Sequence, residues 1–144
     1  MSLKQCRIPI LRTAIPFVLL TFVAPAFATP QFTGRVVAVR AGDILRIHID
    51  RDQTEGKDRT VTVRLHGVIV SSYGRARRFV RRLALGKRVE VTELGDSGQR
   101  ILDGWVMVGD RNVSYELLKA GLARWDRKRA PGDRTLQKLE RPGK

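Results

Sequence analysis

The chain has 144 residues, 42% of them hydrophobic, with 28 Lys and Arg against 14 Asp and Glu and a net charge of +14. That length allows one domain with a short tail. The single cysteine, Cys6, excludes a disulfide framework. The charge implies an anionic partner or surface: nucleic acid, anionic lipid or an acidic polymer.

Residues 1–28 read as a secretory signal peptide rather than as part of the domain. Lys4, Arg7 and Arg12 form a positive n-region, Ala14 to Val23 is apolar except for Pro16 and Thr21, and Ala26-Phe27-Ala28 is an A-x-A cleavage signature. The apolar run is shorter than the roughly 20 residues needed to span a bilayer. Cleavage after Ala28 would leave a domain of residues 29–144 with no cysteine, hence no thiol chemistry, and with no transmembrane segment. It would carry 25 basic against 14 acidic residues, a net charge of +11. The expected location is secreted or periplasmic.

Phe32 to Arg40 predicts a first strand, with Val37 and Val39 on one face and a bend at Gly34. Ala41-Gly42-Asp43 is a turn, and Ile44 to Ile49 alternates Leu45, Ile47 and Ile49 against Arg46 and His48 as a second strand. Asp50 to Arg59 is a polar hairpin loop. A third strand alternates Val61, Val63 and Leu65 against Thr62, Arg64 and His66, until Gly67 breaks the pattern and a short apolar run follows. Tyr73 to Leu85 predicts a helix: Ala76, Phe79, Val80 and Leu83 repeat at i, i+3, i+4 and i+7, while Arg75, Arg77, Arg78, Arg81 and Arg82 fill the other faces. Gly86 closes it.

Lys87 to Glu93 is a fourth strand, Glu93 to Asp103 a polar connection, and Gly104 to Val108 a fifth strand. Val113 to Ala120 fits a second helix, with Val113, Leu117 and Ala120 inward and Asn112 or Ser114 as N-cap. Pro131-Gly132-Asp133 starts a short last helix through Leu136 and Leu139, and residues 141–144 form a frayed tail. Five short strands, a helix between the third and fourth, and helices after the fifth predict an α+β fold: a five-stranded oligonucleotide/oligosaccharide-binding (OB) barrel.

Arg64-Leu65-His66-Gly67-Val68, then Tyr73-Gly74-Arg75-Ala76-Arg77 and Leu85-Gly86-Lys87-Arg88-Val89, resemble the staphylococcal-nuclease-like (thermonuclease) family. Gly104-Trp105-Val106 looks like that family's last strand, Asn112 to Ala123 like its second helix, and Ala130-Pro131-Gly132-Asp133 like the approach to its third. The resemblance covers residues 33–140. It implies a thermonuclease-type OB-fold and calcium-dependent phosphodiester hydrolysis, in which two aspartates hold the metal, a glutamate activates water and two arginines stabilise charge on phosphorus.

Carried over position by position, the resemblance makes Asp43 the first metal carboxylate and Arg64 the first catalytic arginine. Asp96-Ser97-Gly98-Gln99-Arg100 looks like a degraded Asp-x-Tyr-Gly-Arg, which makes Arg100 the second arginine, with Asp103 as one extra residue before Gly104. The family's strand ends in Arg-Leu-x-x-(Val/Ile)-Asp-x-Pro-Glu. Here Ile69 stands at the Asp position, Ser71 at the Pro position and Ser72 at the Glu position, and the loop that follows is missing. Ile69 offers hydrocarbon where calcium takes roughly six to eight oxygens, and Ser72 is no base near neutral pH, a loss of about 10²–10⁴ in rate. Such a site would hold calcium only weakly and is degenerate as a hydrolase.

Other acids are candidates to substitute for the lost ligand. Asp50, Asp52, Glu55 and Asp58 cluster without the glycine or the flanking helices of a calcium loop. Glu93, Asp96 and Asp103 lie near the Arg100 connection. His48 and His66 read as strand-face filler. The expected function is therefore an exported domain that binds nucleic acid or another polyanion through Arg64, Arg100 and the five helix arginines, with Tyr73 and Trp125 as the candidates for base stacking. Two alternatives stay open: an active calcium-dependent nuclease with rearranged acids, and an envelope protein meeting anionic lipid or polysaccharide.

Overall fold

In a computed structural model the described residues are 29–50, 59–96 and 100–140. Residues 1–28, on which the expected signal peptide falls, most of the loop from Asp50 to Arg59, residues 97–99 and the expected tail lie outside them. Five strands close a barrel: β1 (Gln31–Val39), β2 (Ile44–Ile49), β3 (Arg59–Leu65), β5 (Arg88–Asp96) and β6 (Ile101–Val108) run in the order β3-β2-β1-β5-β6. The barrel shuts where β3 pairs with β6 in parallel, Arg64 beside Asp103 and Leu65 beside Gly104. With α1 (Tyr73–Ala84), α2 (Val113–Lys119) and α3 (Arg134–Leu139), this is the expected OB-fold.

Alternation places Leu45, Ile47, Val63, Leu65, Val89, Val91 and Val106 in a fully or almost fully buried core. The helix α1 seals one side of it with Ala76, Val80, Leu83 and Ala84, while all five of its arginines stay exposed. Fully burying Val80 or Leu83 contributes about 1.5–3 kcal/mol each, enough to fix the arginine face outward. Asn112 caps α2, accepting from the backbone N–H groups of Ser114 and Tyr115.

The structure revises four expectations. On β1 it is Val36, with Val39, that points inward, and Val37 is 48% exposed. A bulge between Val36 and Ala38 inserts one residue and resets the alternation there. Gly34 does more than bend the strand: a Cβ there would lie 2.5 Å from the His48 carbonyl oxygen. On α2, Leu118 is buried and Ala120 exposed, because Ala120 is already the C-cap. Finally, the apolar run after Gly67 is a strand, β4 (Val68–Val70), paired antiparallel with β8 (Ala123–Trp125). Both are too short for alternation to show in sequence. A two-residue β7 (Arg111–Asn112) adds to the edge of β6.

Candidate functional site

The turn before β2 is locked against α1. Gly42 has φ +80°, and a Cβ there would lie 2.9 Å from the Ala76 Cβ and 3.1 Å from the Arg77 nitrogen, so only glycine fits on both counts. This seats Asp43 at the barrel rim, where its carbonyl accepts from the Leu65 N–H at 2.8 Å. Burial raises the pKa of the Asp43 carboxyl, against the opposing pull of a hydrogen bond from its own backbone and of the Arg64 and Arg129 guanidinium charges. Asp43, Arg64 and Arg129 therefore share one neighbourhood.

Arg129 was not singled out from the sequence, and it is the most heavily bonded cation of the site. Its Nε donates to Asp126 Oδ2 at 2.6 Å, Nη1 to Asp103 Oδ1 at 3.3 Å and Nη2 to the Val68 carbonyl at 2.8 Å. Asp126 also accepts from the backbone N–H groups of Lys128 and Arg129. Burial works to raise its pKa, but the Arg129 bond and these backbone donors win, and the carboxyl sits below its ordinary value. The other oxygen of Asp103 lies 2.7 Å from His66 Nδ1. His66 packs edge-on against Trp105 at 4.8 Å, and Trp105 against Tyr115 at 5.5 Å. His66 is thus part of the site rather than filler. The sequence carried one hint of all this, the i, i+3 pair Asp126 and Arg129; the contacts to Asp103 and Val68 cross 26 and 61 residues.

The positions read from the sequence do not all come together. Asp43 and Arg64 are together, with Asp103 beside Arg64 in strand register. Arg100 is exposed in a left-handed conformation (φ +61°) just before β6, and among the described residues no hydrogen bond or ion pair ties it to the cluster. Ile69 points outward from β4, 45% exposed, opposite Arg124 of β8. Ser72 takes the N-cap position of α1 without capping it, its hydroxyl instead accepting from Arg75 Nε at 3.4 Å.

On the helix face, Arg75, Arg77, Arg78, Arg81 and Arg82 are all exposed, with Arg77 Nε donating to the Val39 carbonyl. Tyr73 is 64% exposed. Trp125 is spoken for: its indole N–H donates to the Ala130 carbonyl at 2.9 Å, and the Arg127 guanidinium lies over its ring.

These donors do not fit a calcium ion. Asp43 supplies one carboxylate, Ile69 supplies none, and both oxygens of Asp103 face His66 and Arg129. Among the described residues no three His, Cys, Asp or Glu side chains are grouped to hold a metal, against the roughly six to eight oxygens calcium takes. What the arrangement can do is hold phosphate, because guanidinium forks bind its oxygens bidentately and stay charged at any relevant pH.

The sequence model of a protein family described as staphylococcal nuclease homologue matches residues 44–144, from β2 onward. No curated protein matches the chain.

Proposed function

Because the chain belongs to the staphylococcal nuclease homologue family, we propose that it is a polyanion-binding barrel, taking nucleic acid as ligand, in which calcium-dependent hydrolysis is weakened or lost. The observation that carries this is the α1 face: five exposed arginines on a helix whose opposite face is buried in the barrel. Such an array neutralises backbone phosphates without reading base sequence. Arg64 and Arg129 add a second phosphate seat at the barrel rim. The loss of hydrolysis rests on Ile69 and Ser72, which stand where the family has a metal ligand and a base.

Affinity for duplex DNA should fall steeply with salt, each neutralised phosphate contributing about −0.9 to the log–log slope. Replacing Arg78 and Arg82 together by Gln should weaken binding across sequences and flatten that slope by close to two contacts' worth. Fluorescence anisotropy over a salt series checks this; binding that ignores salt, or survives the double change untouched, rules the face out. Export to the periplasm or medium is part of the same reading, supported by Lys4, Arg7, Arg12 and Ala26-Phe27-Ala28. Intact mass of the exported protein should give a chain beginning at Thr29; a full-length chain retained in the cytoplasm contradicts it.

A further inference from the structure

We propose that His66, positioned by Asp103 and flanked by Arg64 and Arg129, cleaves RNA without a metal ion. This goes beyond the function above and rests on it only in that RNA must be bound. Four observations carry it.

The first is orientation. Nδ1 of His66 lies 2.7 Å from Asp103 Oδ2, so Nδ1–H donates to the carboxylate and, in the neutral imidazole, Nε2 carries the lone pair. The Trp105 ring, 4.8 Å away and nearly perpendicular, holds the imidazole plane. The second is access. Nε2 takes no partner among the described residues, and no fully buried side-chain nitrogen or oxygen there lacks one, so Nε2 keeps some contact with solvent, on a side chain 14% exposed.

The third is the surrounding charge. Asp103 stands beside Arg64 in parallel register, and His66, in the turn that follows β3, meets the same Asp103. Arg129 bonds the other oxygen of Asp103. Each of its three nitrogens makes one bond to the protein, which leaves one N–H on each Nη for a phosphate oxygen. The imidazole and the Arg129 guanidinium thus meet the two oxygens of Asp103, with Arg64 beside it in register.

The fourth is the missing metal chemistry. The donors fit no calcium ion, so a water nucleophile has nothing to activate it in the family's manner. RNA brings its own nucleophile, the 2′-hydroxyl next to each phosphate, and needs only a base and charge stabilisation. In the step proposed, Nε2 takes the 2′-hydroxyl proton as O2′ bonds to phosphorus. The P–O5′ bond breaks, and the leaving oxygen takes a proton from water, to which the imidazolium later returns one. The products are a 2′,3′-cyclic phosphate and a 5′-hydroxyl, with no oxidant, metal or net water consumed. His66 is the catalytic residue; Asp103 is a positioning residue that fixes its tautomer.

The experiment uses the mature chain, excess chelator and an end-labelled single-stranded RNA oligonucleotide, with the all-deoxy strand of the same sequence in parallel. Both strands should bind; RNA should be cut to 2′,3′-cyclic phosphate ends and the deoxy strand left whole. His66→Gln should slow cleavage by about 10²–10⁴-fold with binding retained, and Asp103→Asn should lower kcat while leaving KM. RNA that is bound and left uncut by the wild type overturns the proposal and leaves the binding function standing; RNA neither bound nor cut overturns both. Equal cutting of the deoxy strand, or undiminished cutting by folded His66→Gln, also overturns it. Should His66→Gln fail to fold, the comparison of ribose with deoxyribose on the wild type decides alone.

Discussion

Arg129 and Asp103 are 26 residues apart in sequence and 3.3 Å apart in the structure. The same guanidinium bonds Asp126 and the Val68 carbonyl, so one side chain ties the segment after β8 to both β4 and β6. Its side chain is 26% exposed and its two carboxylate partners 15% and 11%, a partly dry setting in which a lost partner is felt.

Arg129→Gln should therefore destabilise the fold by about 3 kcal/mol, since it leaves two shielded carboxylates and a carbonyl without their donor. Arg129→Lys should recover only part of this, because an ammonium cannot reproduce a three-pronged planar contact. Urea unfolding followed by Trp fluorescence measures both. A change of a few tenths of a kcal/mol for Arg129→Gln would show that the tie is ornamental.

Asp43 predicts the opposite sign. Its pKa is raised in the folded protein, first by burial, so the native state pays for ionising it. That penalty is full above the folded pKa and vanishes as pH falls below the ordinary Asp value of about 3.9. Asp43→Asn should accordingly raise Tm at pH 7, with the gain shrinking as the pH approaches 4. Thermal melts across that range check it; a loss of stability at pH 7 would mean that Arg64 and Arg129 outweigh burial.

Catalysis should be partly restorable. Ile69→Asp returns an oxygen ligand at a position 45% exposed and so tolerant of charge, and Ser72→Glu returns a proton acceptor at the start of α1. Each alone should do little. Together they should raise calcium-dependent cleavage by about 10²–10⁴, non-additively because metal and base act as a unit. The steady-state rate of the double variant against each single one gives the answer, and purely additive gains would contradict a shared site.

The barrel was legible because its strands alternate cleanly and α1 carries a strict apolar stripe. Arg64 was legible for the same reason, its face being set by Val63 and Leu65. His66 and Asp103 were each visible, but not their bond, since strand register across β3 and β6 depends on closure of the barrel. Arg129 was hidden among the five basic residues from Arg124 to Arg134, and only the fold decides which of them turns inward. Arg100 was favoured on motif spacing, which says nothing of where a left-handed loop residue sends its side chain. The Val36–Ala38 bulge reversed Val37 for a similar reason: a strand read alone shows no partner with which to fall out of step.

On the proposed function, this family member holds phosphate polyanions with its calcium-dependent cutting weakened or lost. Nicking of supercoiled plasmid by the mature protein, with calcium and with chelator, tests it most directly. The plasmid should be retarded at low salt and remain supercoiled in both conditions. Robust nicking that needs calcium and disappears in Arg64→Ala would contradict it.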